Sequence, residues 1–290
     1  DDAEEDGNQS YPVVIAAAVS SDPNFGGLTS APVSVINTDN DSAGITVTAA
    51  AGLTTTEATG AGHTATFTVV LNSKPTANVT IGLASSDLTE GTVSPASLVF
   101  TPADWNLAQT VTVTGVDDAL ADGPQTYTID TAEAVSADPN YSGRDAVNVS
   151  LSNVDNDTLG VTVSATSLTT TEAGGTATFS IVLNTAPTGT VVISLAGLDA
   201  TEGTLSTNTL TFNASNWSDA AAHTVTVTGV DDSVDDDDQT YTLVTTASGA
   251  DYDGFSVPDV VVTNVDDDTR GVTVSATSLS TTEAAGPGHT

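Results

Sequence analysis

Apolar and polar residues alternate along much of this chain with a period of two. In Thr64–Leu71, Ala65, Phe67, Val69 and Leu71 share one face. Val111 and Val113, Tyr127 and Ile129, and Val147, Val149 and Leu151 alternate likewise. Successive side chains of a strand point to opposite faces, so this pattern, with β-branched outer positions, predicts strands buried on one side. No apolar stripe of helical period has useful length. Gly, Pro, Asn and Asp cluster between the runs, as in Asn72-Ser73-Lys74-Pro75 and Asp138-Pro139-Asn140, and these residues set turns. One stretch therefore reads as strands near 44–56, 63–71, 77–84, 97–101, 108–116, 124–132 and 145–153, lettered A to G. Seven short antiparallel strands over such a length predict an all-β, immunoglobulin-like sandwich.

The pattern repeats. Asp117–Asp157 matches Asp1–Asp41 without a gap, Tyr127 falling on Tyr11 and Asp155-Asn156-Asp157 on Asp39-Asn40-Asp41. The same run returns from Asp231-Asp232 to Asp266-Asp267-Asp268. Thr55-Thr56-Glu57 recurs as Thr170-Thr171-Glu172 and Thr281-Thr282-Glu283. The period of about 111–116 residues is that of a domain, not of a solenoid unit. Residues 1–42 read as the last strands (F and G) of one repeat, 43–158 and 159–269 as complete repeats, and 270–290 as the first strand of another. We read the chain as a window on a longer array of sandwiches arranged as a rod.

Charge changes the picture. The 290 residues hold 3 Lys and Arg against 38 Asp and Glu, a formal net charge of −35. Such a chain lacks the cations that hold a phosphate backbone or an anionic membrane surface, so no nucleic-acid partner is expected. No run is apolar and long enough to suggest membrane insertion in this segment. With no Cys, disulfides and thiolate zinc sites are excluded. The scarcity of Lys and Arg, with no Cys or Met, suits a protein exposed to oxidants and proteases at the cell surface or outside the cell.

The acids fall at particular places on the predicted topology. With strands running alternately up and down, the A–B, C–D and E–F loops and the end of G share one end of the sandwich. In the first complete repeat that end receives Glu57, Asp87 and Glu90, then Asp117, Asp118 and Asp122, then Asp155 and Asp157. In the next it receives Glu172, Asp199 and Glu202, then Asp231, Asp232 and Asp235–Asp238, then Asp266, Asp267 and Asp268. The partial repeat brings Asp1, Asp2 and Asp6 with Asp39 and Asp41. Two like charges 4 Å apart repel by about 1 kcal/mol in water and roughly 4 kcal/mol at an effective dielectric of 20. A hard divalent cation removes that cost. Ca²⁺ takes oxygen ligands in a flexible shell, and the clusters contain no His or Cys to favour zinc or copper.

The repeats resemble Calx-β domains, a family found in sodium–calcium exchangers and bacterial surface proteins. The resemblance rests on Glu57 and Glu172 in Thr-Thr-Glu-Ala, on the Thr-Val-Thr-Gly-Val-Asp-Asp strand endings, and on the closing Asp triplets. It implies Ca²⁺ ligands at Asp1, Asp2, Asp6, Asp39, Asp41, Glu57, Asp87, Asp117, Asp118, Asp122, Asp155 and Asp157. In the second complete repeat it implies Glu172, Asp199, Asp231, Asp232, Asp236, Asp266, Asp267 and Asp268. The expected function is a calcium-stabilised structural segment of an extracellular filament, adhesin stalk or matrix fibre. Its partners are neighbouring repeats of the same chain and, by self-assembly, other chains. The alternative is an adhesin whose repeats grip a glycan or protein receptor. No catalytic set recurs with the repeat, and no enzyme is expected. Trp105 and Trp217 are expected to plug sandwich ends, and His63, His223 and His289 to lie at the surface. Asp138–Tyr141 is expected to form a turn, or, more boldly, to touch the acidic end of the preceding repeat.

Overall fold

The computed structural model describes residues 2–281 and Glu283, so Asp1, Thr282 and His289 lie outside the described residues. The chain forms two compact units, Asp1–Asp157 and Thr158–Thr290. The fold is all-β.

The first unit opens with a two-stranded antiparallel hairpin, β1 (Gln9–Val13) and β2 (Val33–Asn37). A sandwich follows, built from β3 (Ile45–Thr48), β4 (Thr54–Thr56), β5 (Thr64–Leu71), β6 (Val79–Ser85), β7 (Gly91–Ser94), β8 (Ser97–Phe100), β9 (Gln109–Gly115), β10 (Gln125–Thr131), β11 (Val135–Ser136) and β12 (Val149–Val154). One sheet has the order β3-β5-β9-β7. The other runs β11-β6-β10-β12-β4, with β8 also on β6. This is the immunoglobulin-like arrangement. Phe67, Val69, Val111 and Val113 of the first sheet face Ile81, Phe100, Tyr127, Ile129 and Leu151 of the second, all buried. The period-2 pattern thus fills one core between two sheets.

One predicted strand differs from expectation, and one further strand appears. Strand A is not one antiparallel strand. β3 pairs antiparallel with β5, whereas β4 crosses to the other sheet and pairs parallel with β12. The crossing passes Gly52, whose φ of 67° suits a residue without Cβ. Strand D, expected at 97–101, is β8 on β6, and just before it β7, a strand the pattern does not predict, pairs with β9 in the other sheet. Pro95, which has no N–H to give a ladder, falls between the two.

The second unit repeats the plan. Its strands are β13 (Val161–Val163), β14 (Ser167–Thr171), β15 (Thr176–Leu183), β16 (Val191–Ala196), β17 (Gly203–Leu205), β18 (Thr209–Phe212), β19 (Thr224–Gly229), β20 (Gln239–Ser248) and β21 (Val260–Val265). They form sheets β13-β15-β19-β17 and β14-β21-β20-β16-β18, with β14 parallel to β21. Trp105 and Trp217 are each partly buried against a core, as plugs. His223 is not at the surface. It is 2% exposed, stacked on Phe212 at 3.9 Å, with Nε2 against the Thr211 carbonyl. Its place in the repeat is that of half-buried Gln109, whose amide donates to the Val99 carbonyl, so both side chains meet a carbonyl of the strand before them.

A buried asparagine joins strands to the loops at the acidic end. Asn153 Oδ1 accepts from Thr55 Oγ1 (2.9 Å), and its Nδ2 donates to the Val116 carbonyl (2.9 Å). Asn264 does the same with Thr170 and Val230. The fit depends on Gly115. A Cβ there would stand 2.5 Å from the Thr56 carbonyl oxygen and 2.6 Å from Asn153 Oδ1. Gly115→Ala is therefore expected to destabilise the first sandwich by about 1–3 kcal/mol. Denaturant unfolding followed by Trp105 fluorescence measures it, and an unchanged midpoint would contradict the tight approach.

Candidate metal centres

The sandwich gathers carboxylates from three loops and the end of the last strand. Among the described residues, carboxylate oxygens of Glu57, Asp155 and Asp157 lie within 4.8 Å of one another, as do those of Glu90, Asp118 and Asp122. The second sandwich holds three such groups within the same distance: Glu172, Asp266 and Asp268; Glu172, Asp231 and Asp267; and Glu202, Asp232 and Asp236. The two glutamates of each sandwich sit deepest. Glu57 and Glu172 are 2% exposed, Glu90 6% and Glu202 7%.

Backbone N–H groups fix the closing triplet. Asp155 Oδ2 accepts the Gly123 N–H (2.7 Å), and its Oδ1 accepts the Asp157 N–H (2.6 Å). Asp266 accepts from Asp237 (3.1 Å) and Asp268 (2.8 Å) in the same way, and Asp39 from Gly7 (2.8 Å) and Asp41 (2.9 Å). The loop residue opposite has positive φ each time, 73° at Gly7, 73° at Gly123 and 64° at Asp237. Glu57 Oε2 accepts the Asn156 N–H (3.1 Å), and Asn156 Nδ2 donates to Asp117 Oδ1 (2.9 Å). The Asn153 amide described above also reaches Glu90 Oε2 (3.4 Å), as Asn264 reaches Glu202 (3.3 Å).

These donors do not satisfy every oxygen. Asp157 Oδ2, Asp268 Oδ2 and Asp236 Oδ1 are buried without a hydrogen-bond partner. Buried polar atoms are normally paired, because leaving one unpaired forfeits its hydration. A donor set made only of oxygens, several of them anionic and unpaired, fits a hard cation and permits Ca²⁺ binding.

Several expected ligands lie elsewhere. Asp87 Oδ1 accepts from the Thr89 N–H and hydroxyl, and Asp199 Oδ1 from those of Thr201, so each closes its own turn outside the carboxylate groups. Glu90 and Glu202 take the inward place from the same loop. Asp117 stays at the edge on the Asn156 amide. Asp2, Asp6, Asp39 and Asp41 line one pocket with Gln9 and Asn37 but, among the described residues, do not close to the 4.8 Å spacing of the other groups. The Asp138–Tyr141 segment forms a turn, and in the first unit Asn140 Nδ2 donates to the Glu5 carbonyl (2.6 Å).

No protein-family model matches this sequence, and no curated protein matches it. Solved structures give loose likenesses. The crystal structure of CBD12 from CALX1.2 is 12% identical, with 76% of this chain and 99% of that one covered and a TM-score of 0.33. The calcium binding domain CBD12 of CALX1.1 is 11% identical, with 73% and 95% covered and a TM-score of 0.32. Domains 4 and 5 of the S-layer protein SbsC are 14% identical, with 78% and 100% covered and a TM-score of 0.30. Likenesses this loose carry no argument about the chain.

Crowding shifts the acids. Burial, reinforced by Asp118, Asp155 and Glu90 against the opposing Asn156 N–H, pushes Glu57 up to about 7 from its ordinary 4.5. Burial and neighbouring carboxylates also raise Glu90, Asp157, Glu172 and Asp268. Asp87 and Asp199 are lowered by their threonine donors. A raised acid keeps a proton in the folded state that the unfolded chain has lost. Without a divalent cation, the stability that the raised acids contribute is therefore fully present below the unfolded value and is lost as pH rises from about 4.5 to about 7. For Glu57 the loss amounts to about 3 kcal/mol. Melting the chelator-treated chain from pH 4.5 to 8 is expected to show Tm falling across that window. A Tm that rises there would show the clusters to be open and hydrated.

Proposed function

We propose that the chain is a calcium-stabilised structural segment of an extracellular repeat protein, such as a surface filament, an adhesin stalk or a matrix fibre. Its units are successive Calx-β-like repeats with boundaries at 1–42, 43–158, 159–269 and 270–290. The observation that carries this reading is the pair of buried, unpartnered oxygens, Asp157 Oδ2 and Asp268 Oδ2, each inside a group of carboxylates. The groups lie where the chain leaves each sandwich, after β12 and after β21. A cation bound there draws the closing triplet onto the glutamate of the first loop and so fixes the direction in which the next residues depart.

The residues that would hold Ca²⁺ in the first sandwich are Glu57, Asp155 and Asp157, with Glu90, Asp118 and Asp122. Glu172, Glu202, Asp231, Asp232, Asp236, Asp266, Asp267 and Asp268 would do so in the second. Asp87, Asp117 and Asp199 are supporting residues in this reading. Asp39 and Asp41, with Asp2 and Asp6, would form a further site from the partial repeat. The partners are neighbouring repeats and, in a fibre, other copies of the chain. Trp105 and Trp217 pack against their cores, so neither stands free as an aromatic platform for the glycan-binding alternative.

Binding that favours the folded state stabilises by about 2.7 kcal/mol per site at a free concentration 100 times the dissociation constant. Calcium at millimolar level is expected to raise Tm by several degrees over the chelated chain at pH 7.5. Asp157→Asn with Asp268→Asn is expected to remove most of that gain. Identical melting with calcium and with chelator would sink the proposal.

A further inference from the structure

The chain has three Lys and Arg residues, and two of them, Lys74 and Arg144, meet two adjacent glutamates, Glu4 and Glu5 in turn. Lys74 Nζ lies 2.6 Å from Glu4 Oε1, and the Lys74 N–H donates to the Ala3 carbonyl (2.6 Å). Arg144 lies 3.9 Å from Glu5 Oε2, and Asn140 Nδ2 donates to the Glu5 carbonyl (2.6 Å). Glu5 Oε2 also accepts the N–H of Ala43, the residue where the chain enters the sandwich (2.6 Å). The segment leading into β1, residues 3–5, is therefore held by two turns of the sandwich and by the linker between hairpin and sandwich.

The two turns are tied to each other by bonds that do not involve that segment. Asp138, 2% exposed, accepts the Thr76 N–H (2.7 Å) and the Asn140 N–H (2.8 Å). The Tyr141 hydroxyl bonds the Ser73 carbonyl (2.6 Å), and Arg144 Nε donates to the Asn140 carbonyl (2.6 Å). These contacts staple the Lys74 turn to the Asn140–Arg144 turn, so the ammonium, the amide and the guanidinium form a fixed socket. A single exposed ion pair holds little, but a preorganised set on one loop adds geometry to charge.

The geometry points to a charge-coded latch: Lys74, Asn140 and Arg144 form a docking surface for an acidic Ala-Glu-Glu loop of the repeat that precedes, and it needs no metal. The sequence carries the code on both sides. In the next repeat Ala186, Asp251 and Phe255 stand at the socket positions, and Leu120 and Ala121 stand where Glu4 and Glu5 do. Cationic socket and acidic loop are lost together. The linker bond is the part that recurs: Asp235, matching Glu5, accepts the Arg270 N–H at 2.7 Å. The latch rests on the repeat reading of the chain but not on calcium.

The chain lacks Cys, so paired spin labels can be placed at Ser21→Cys in the hairpin and Ser97→Cys in the sandwich, both exposed. The distance distribution is expected to be narrow with calcium and equally narrow with chelator. Lys74→Glu is expected to broaden it at least twofold, with the melting of the sandwich unchanged. Adding Glu4→Lys, which reverses that ion pair and leaves the Glu5 bonds in place, is expected to restore it. A distribution that stays narrow in the single variant, a failure of the swap to restore it, or broadening of the unaltered chain by chelator alone would each overturn the latch. Calcium-dependent melting is read separately, so failure of the metal reading leaves this result standing.

Discussion

The structure depends on how much negative charge a fold can bring to one end of a sandwich. Carboxylates repel, and burial strengthens the repulsion by removing water. Here the fold answers part of it with its own dipoles. Asp39, Asp155 and Asp266 each take two backbone N–H groups, and Asn153 and Asn264 turn an amide toward the innermost glutamates. What those donors leave over is concentrated: unpartnered oxygens on Asp157, Asp236 and Asp268 among other anions. The formal charge of −35 is thus partly a local property of a few clusters, each made of residues distant in sequence.

The sandwich is what makes this geometry available. Strand A changes sheets so that β4 and β14 can lie parallel to the last strand, which delivers Glu57 and Glu172 beside the closing triplets. Gly115 lets the strand end and the β4 carbonyl approach closely, and the buried asparagine fills the remaining space. Packing and charge are coupled through those few residues. In the same unit, Lys74 and Arg144 show a second solution to the same problem, in which the protein supplies the cation itself.

Much of this was legible in the sequence. The period-2 runs placed most strands within a few residues, and repeat matching placed the Asp-Asp strand endings, the triplets and the first-loop glutamates at one end. The crossing of strand A was not legible, because alternation specifies which face is buried and not which sheet a strand joins, and β7, four residues long, is too short for alternation to mark. The assignment of Asp87 and Asp199 followed the family resemblance. Asp-x-Thr, present as Asp87-Leu88-Thr89 and Asp199-Ala200-Thr201, is a turn-closing pattern that points such an Asp at its own threonine. Glu90 and Glu202, one residue beyond, were the acids left free to turn inward. The burial of His223 was not legible, because nothing in one sequence tells that its ring stacks on Phe212.

The central claim is that crowded, partly protonated carboxylates take up a divalent cation. Calorimetric titration of calcium into the metal-free chain at pH 7, in two buffers of different ionisation heat, tests it most directly. With Glu57 pushed up to about 7, binding must expel protons, so the account predicts saturable binding whose apparent enthalpy differs between the buffers. No saturable heat at millimolar calcium, or binding whose enthalpy is the same in both buffers, would contradict it.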